Sequence, residues 1–175
     1  MVESIDAEGA ADWAPDAKFI VIGGSDAQGP GLFKVPVDGG APVRLVKGGA
    51  TNPVWSPDGT LIVYTGPSVG GQPPLLGVRP DGTAVELPQM AVSVRTQQGH
   101  RFLPSGKGLV YIPFPLSSAV LDFQLLDLAT RTTRQLARFA SQGEIRTFDI
   151  TPDGKQIVFD RSRENSDIVL IDLPR

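Results

Sequence analysis

The side chains that could support chemistry in this chain are few and widely spaced. Cysteine is absent, which excludes a thiolate nucleophile, a disulfide framework and a thiolate metal site. His100 is the single histidine, and no Gly-x-Ser-x-Gly turn presents a serine for it to activate. We therefore interpret His100 as a hydrogen-bonded structural residue. The alternative is a ligand group that lines a central channel.

A second set of polar residues could ligate a metal. It has one member in each of four sequence repeats, which are described below: Asp12, Asn52, His100 and Asp149. Carboxylate, amide and imidazole side chains gathered around one axis are suitable metal ligands, so the set is kept as an alternative metal site. The aspartates in the repeated turns have a simpler role, since Asp in such a turn bonds the backbone two residues on. These turn residues are Asp16, Asp58 and Asp153.

Arginine side chains are the main candidates for ligand recognition. The planar guanidinium holds a carboxylate or a phosphate through two parallel hydrogen bonds. The candidates lie in or next to predicted loops, together with the histidine: Arg95, His100, Arg101, Arg146, Arg161 and Arg163. No catalytic set and no cofactor site is predicted. The residues favour a non-catalytic module that binds a protein or peptide on its loop face.

A repeated strand-turn-strand unit must position these residues. Each copy joins a large apolar residue, a Pro-containing turn and a short apolar strand: Trp13–Ile22, Trp55–Tyr64, Phe102–Tyr111 and Ile150–Phe159. The turn prolines stand at positions 15, 57, 104 and 152, which gives spacings of 42, 47 and 48 residues. Such a period, built from strands and tight turns, is typical of propeller blades. We predict an all-β propeller with four four-stranded blades per chain.

The ends of the chain predict how the ring closes. The predicted repeats cover residues 6–47, 48–88, 95–140 and 142–175, and the last stops after its third strand, Ile168–Ile171. Val2–Ile5 lies about where an outer strand should, so we expect it to complete the last blade and remove two exposed edges (a Velcro closure). It could do so within its own chain, in a second copy to form an eight-bladed homodimer, or in a longer propeller. The homodimer is favoured because a ring of four blades demands strong twist.

The repeat also resembles a known family. Thr151-Pro-Asp-Gly-Lys155 followed by Gln156-Ile-Val-Phe159 is similar to the repeat of TolB-like propellers, and the pattern covers essentially the whole chain. Residues 163–175 resemble the end of the C-terminal propellers of bacterial serine/threonine kinases. The resemblance implies a propeller used for binding, often outside the cytoplasm and within a larger protein. Two turns depart from the pattern, with Ala17 in place of glycine and Ser105 in place of aspartate.

The charge and hydropathy of the chain limit its partners. A net charge of -3 argues against general nucleic-acid binding, and no apolar run approaches the roughly 18 residues that span a bilayer. Residues 1–6 lack the basic and apolar blocks of a signal peptide, so we expect a soluble chain whose parent is compatible with a periplasmic or extracytoplasmic location. Two alternatives to the binding module stay open. One is a propeller hydrolase or lactonase with an axial metal, and the other is a fragment of a larger sensor protein without independent activity.

Overall fold

All regular structure in the described residues is β-sheet. A computed structural model describes residues 5–92, 99–114, 120–140, 145 and 147–160, and these residues contain no helix. The predicted all-β class is therefore confirmed. No element in these ranges is a helix with the length and apolar character needed to cross a bilayer.

Fourteen strands form the described sheets. The first sheet contains β1 (Asp6–Trp13), β2 (Phe19–Asp26), β3 (Gly29–Pro36) and β4 (Val43–Lys47). The second contains β5 (Thr51–Trp55), β6 (Ile62–Thr65), β7 (Leu75–Val78) and β8 (Ala84–Val85). The third contains β9 (His100–Phe102), β10 (Gly108–Tyr111), β11 (Val120–Asp127) and β12 (Thr133–Ala140). The fourth sheet has two described strands, β13 (Phe148–Ile150) and β14 (Ile157–Phe159).

The three four-stranded sheets are antiparallel meanders and the fourth is an antiparallel pair, and each is made from one sequence repeat, as expected for propeller blades. We number the blades 1 to 4 in chain order. Two elements of the predicted closure, Ile168–Ile171 and residues 2–4 of the predicted outer strand, lie outside the described residues and stay predictions. Ile5 is described, and it lies beside blade 1, since a β-carbon placed on Gly24 would be 2.8 Å from its Cγ2 atom.

The turn between the first two strands of each blade is fixed by local hydrogen bonds. In blade 2, the Asp58 carboxylate accepts from the Thr60 N–H at 3.0 Å and from the Ser56 hydroxyl at 2.6 Å. The Asp153 carboxylate accepts from Lys155 N–H and the Thr151 hydroxyl in the same way. These bonds give the turn aspartates the predicted structural role.

Apolar faces pack between neighbouring blades and form the core. Blades 1 and 2 share one cluster of buried residues, blades 2 and 3 share a second, and blades 3 and 4 share a third. Trp55 and Phe102 lie in these seams with 7% of their surface exposed. The prediction that Trp13 packs in the same way is wrong for the described structure, because Trp13 is 55% exposed. It lies on the face of blade 1 that points away from blade 2.

Candidate functional site

The residue just before each large apolar repeat residue occupies one register on the innermost strand. In chain order these residues are Asp12, Val54, Arg101 and Asp149. The innermost strands lie nearest the axis of a propeller, and the three charged residues in this register interact electrostatically. Val54 instead packs in the apolar cluster between blades 2 and 3. We call Asp12, Arg101 and Asp149 the axial cluster. The Arg101 Nε atom is 3.8 Å from Asp149 Oδ1, and the Asp12 carboxylate interacts electrostatically with both residues.

Asp12 ties blade 1 to blade 2. Its Oδ2 atom accepts a hydrogen bond of 2.7 Å from the backbone N–H of Trp55, at the end of the next innermost strand. Burial raises the pKa of Asp12, while the Trp55 N–H and the Arg101 charge act in the opposite direction. The carboxylate therefore has a structural partner and a cationic neighbour at the same time.

Arg101 is the cation of the cluster. Its side chain is only 16% exposed, and burial lowers its pKa, although the charges of Asp149 and Asp12 favour the protonated form. Its contact with Asp149 is longer than the 2.7–2.9 Å of a good ionic hydrogen bond, and its Nη1 atom donates to the His100 carbonyl at 3.4 Å. Asp149 is 79% exposed. A carboxylate that arrived from solvent could form shorter bonds to this guanidinium than Asp149 does.

His100 lies in the seam between blades 2 and 3. The residue is fully buried, and its Nε2 atom is 3.2 Å from the Val63 carbonyl oxygen of the neighbouring blade. Burial lowers the pKa of His100 to about 4, so the ring is neutral at pH 7 and Nε2–H donates to Val63. The Nδ1 atom is buried and has no hydrogen-bond partner among the described residues. His100 thus packs between blades and does not reach solvent.

The four residues of the alternative metal set are not arranged as ligands. The Asn52 Oδ1 atom accepts a hydrogen bond from Ala10 N–H at 3.3 Å, which joins blades 1 and 2. His100 bonds the Val63 carbonyl, and only Asp12 and Asp149 share the axial cluster. Within the described ranges, no group of three or more His, Cys, Asp or Glu side chains could hold a metal ion. These residues therefore do not fit an axial metal.

Four of the predicted ligand-binding residues lie outside the described residues: Arg95, Arg146, Arg161 and Arg163. Arg101 and His100 are described, and only Arg101 faces the axial cluster. The pairing of Arg101 with two carboxylates was not predicted from the sequence. A strict alignment of the repeats would have found it, because all three residues directly precede the repeat's large apolar position.

The role of Asp12 as an acceptor gives a stability prediction. The Asp12→Ala substitution should lower the free energy of unfolding by about 1–3 kcal/mol, because it leaves the Trp55 N–H without its partner. Asp12→Asn keeps an acceptor oxygen and should cost much less. Urea unfolding of the two variants, with Asp149→Ala as the exposed control, measures the difference. Equal stability of all three variants would show that the bond to Trp55 contributes nothing.

Comparisons with known proteins agree with the fold. No known protein-family profile matches the chain. The chain is 29% identical over 160 residues to an uncharacterized protein of Agrobacterium fabrum, a match that covers 85% of the chain and 53% of that protein. The chain thus spans about half the length of the curated relative it matches.

Solved structures with different activities share this architecture. TolB from Acinetobacter baumannii is similar with a TM-score of 0.65 and 19% identity, over 94% of this chain and 39% of TolB. An oligogalacturonate lyase in complex with manganese has a TM-score of 0.66 and 18% identity, over 89% of this chain and 47% of the lyase. Identities at this level show the fold alone. The expected TolB-like propeller fold is confirmed.

Proposed function

Because the chain has the TolB-like propeller fold, we propose that it is a non-catalytic binding module for a protein or peptide ligand. The binding site is the axial cluster, and the group it recognises is a carboxylate of the ligand. Arg101 is the principal contact, and Asp12 and Asp149 set its position and the local charge. The single observation that carries the proposal is the loosely held guanidinium between two carboxylates at the axis.

Three blades contribute to the cluster, and this supports a recognition role. Asp12, Arg101 and Asp149 come from blades 1, 3 and 4 and lie on short, paired strands. Side chains held on rigid strands keep their geometry without a ligand, which reduces the entropy cost of binding. The Arg101 guanidinium is already partly buried beside a carboxylate. Exchanging Asp149 for a ligand carboxylate therefore adds little to the desolvation cost of the guanidinium. The ligand carboxylate takes the place of Asp149, whose own side chain then remains in solvent.

A displayed library of random peptides with free carboxyl termini tests the proposal. We expect it to yield peptides whose affinity, measured by fluorescence anisotropy, falls by about 10-fold or more in the Arg101→Gln variant. Arg79→Gln is the matched control, because it removes the same charge from an exposed turn of blade 2. Circular dichroism of both variants checks that the fold is retained.

Two results would contradict this function. One is a library that yields no binder above the background of an unrelated propeller. The other is a set of binders that lose equal affinity in the Arg101→Gln and Arg79→Gln variants. Amidation of the peptide carboxylates gives a separate check, and it should reduce binding to wild type without further effect on Arg101→Gln.

A propeller enzyme is the second candidate function. It is favoured by the similarity of the fold to an oligogalacturonate lyase whose structure contains manganese. On this chain the described residues do not form a metal set, so an axial metal would depend on side chains from the other ranges. Elemental analysis after incubation with MnCl₂ and desalting tests the alternative. Stoichiometric manganese would favour the enzyme over the binding module.

A further inference from the structure

The three described seams are built from the same pair of repeat positions. The large apolar residue that precedes the turn packs in one cluster with the valine at the centre of the second strand of the preceding blade. Trp55 shares its cluster with Val21, and Phe102 shares the next with Val63. Ile150 packs against the third cluster, which contains Val110. Each blade therefore has two chemically different faces, one with the large apolar residue and one with the valine. In each described seam, the valine face of one blade packs on the large-apolar face of the next.

Two faces are not covered by a neighbouring blade in the described residues: the large-apolar face of blade 1 and the valine face of blade 4. Trp13, the repeat counterpart of Trp55, is 55% exposed, and Ile20, Ile22 and Val35 beside it are only partly buried. At the other end Val158 is 61% exposed. Its counterparts Val21, Val63 and Val110 are each 0% exposed. Within the described residues, blades 1 and 4 of one chain therefore do not bury Trp13 and Val158 against each other.

The turns show the same complementarity. The turn glycine of each following blade lies against the turn proline of the blade before it. A β-carbon placed on the glycine would be 3.7–3.9 Å from the proline Cδ atom in the pairs Gly59–Pro15, Gly106–Pro57 and Gly154–Pro104. Two equivalent positions have no such neighbour in these pairs: Ala17, at the turn-glycine position of blade 1, and Pro152, the turn proline of blade 4. Ala17 already has a φ of 57°, close to the glycines it replaces. Its methyl group would meet a proline at ordinary van der Waals distance.

We propose that two copies of this chain associate head to tail, with the free face of blade 4 in one copy packed on the free face of blade 1 in the other. Trp13 then packs with the partner's Val158, and Ala17 with the partner's Pro152. In a ring of eight blades each blade turns through about 45°, so four blades span half the circle. Two identical contacts related by a half-turn close the ring, as heterologous interfaces do when their rotation closes. This assembly goes beyond the proposed ligand site.

Light scattering coupled to size exclusion gives the first test. We expect a mass of twice the chain mass of 18.6 kDa. Trp55→Phe makes Trp13 the sole tryptophan, and it should be tolerated because it keeps an aromatic ring and removes a buried Nε1–H that has no partner among the described residues. As the concentration of this variant rises through the association range, Trp13 emission should shift to shorter wavelength. A strict monomer with unshifted emission would overturn the proposal.

Charge variants test the head-to-tail arrangement. Trp13→Glu and Val158→Lys should each weaken self-association by about 30-fold or more, because both seams of the ring carry the change. Val69→Lys is the matched control, since Val69 is 73% exposed on a blade 2 loop and lies outside the seams. It should leave the dimer intact.

Mixing the two disruptive variants distinguishes this arrangement from a symmetric contact. A mixed pair has one unaltered seam and one seam in which glutamate meets lysine, so dimers should reappear in the mixture. If the dimer instead joined two identical blade 1 faces, Val158→Lys alone would not disrupt it, and that result would also overturn the proposal. Peptide binding at Arg101 is measured separately. The two proposals can therefore fail independently.

Discussion

Replacing Trp55 by alanine is expected to lower the free energy of unfolding by about 3–5 kcal/mol, which is the usual cost of removing a large buried aromatic side chain. Trp55 is 93% buried in the seam between blades 1 and 2, where it packs with residues such as Val21 and Ile62. The alanine variant would leave a cavity that the paired strands on both sides cannot close. Urea unfolding followed by circular dichroism measures the loss.

Trp13→Ala is the matched control, because it makes the same chemical change at the equivalent position of blade 1. Because 55% of the Trp13 surface is exposed, its truncation should lower the free energy of unfolding by less than about 1 kcal/mol. Both substitutions are best made in the Val158→Lys background, which separates blade stability from self-association. A similar loss for the two variants would mean that Trp13 is buried in the isolated chain, contrary to the structure.

Acidification from pH 6.5 to pH 4 is expected to destabilise the fold by about 3 kcal/mol through His100 alone. The pKa of this histidine is lowered to about 4 in the folded state by burial, with the nearby Arg101 charge acting in the same direction. The unfolded chain has the ordinary value near 6.5 and so binds more protons in this interval. Stability is therefore complete above pH 6.5 and falls as the pH approaches the folded pKa.

His100→Gln should remove most of this pH dependence, since the glutamine amide does not titrate and can still donate to the Val63 carbonyl. The shifted pKa values of other groups do not obscure the contribution of His100 between pH 6.5 and pH 4. The turn carboxylates Asp58 and Asp153 have pKa values below the usual 3.8, so their stabilisation is lost at lower pH. Asp12, with a raised pKa, works in the opposite direction and offsets part of the loss. Unfolding curves at pH 7, 5.5 and 4 that are parallel for wild type and His100→Gln would refute the assignment.

The blade architecture could be predicted because its determinants are local. A turn such as Ser56-Pro-Asp-Gly59 fixes a hairpin by its own hydrogen bonds, and an apolar run such as Leu61–Tyr64 needs two covered faces. The exposure of Trp13 could not be predicted in this way. Its sequence context matches that of Trp55, and the difference lies in whether a neighbouring blade covers it.

The composition of the axial cluster was only partly predictable for a different physical reason. Both β1 and β5 contain an irregularity in their pairing just before the tryptophan, between Glu8 and Asp12 and between Thr51 and Val54. A bulge changes which side of a strand each earlier residue faces. Asn52, with a φ of 50°, lies within such a bulge and bonds blade 1. The direction of the residue directly before the tryptophan can therefore be predicted from the repeat, but the directions of residues earlier in the strand cannot.

The seams also determine how cooperatively the chain can unfold. Every described apolar cluster between blades joins consecutive blades, so the apolar packing of the array corresponds to a linear chain of nearest-neighbour couplings. Blades 2 and 3 are coupled on both sides, whereas blades 1 and 4 are each coupled on one. Fraying from the termini is the lowest-energy opening of such an array. Circular connection would abolish the termini and convert gradual fraying into a single all-or-none transition.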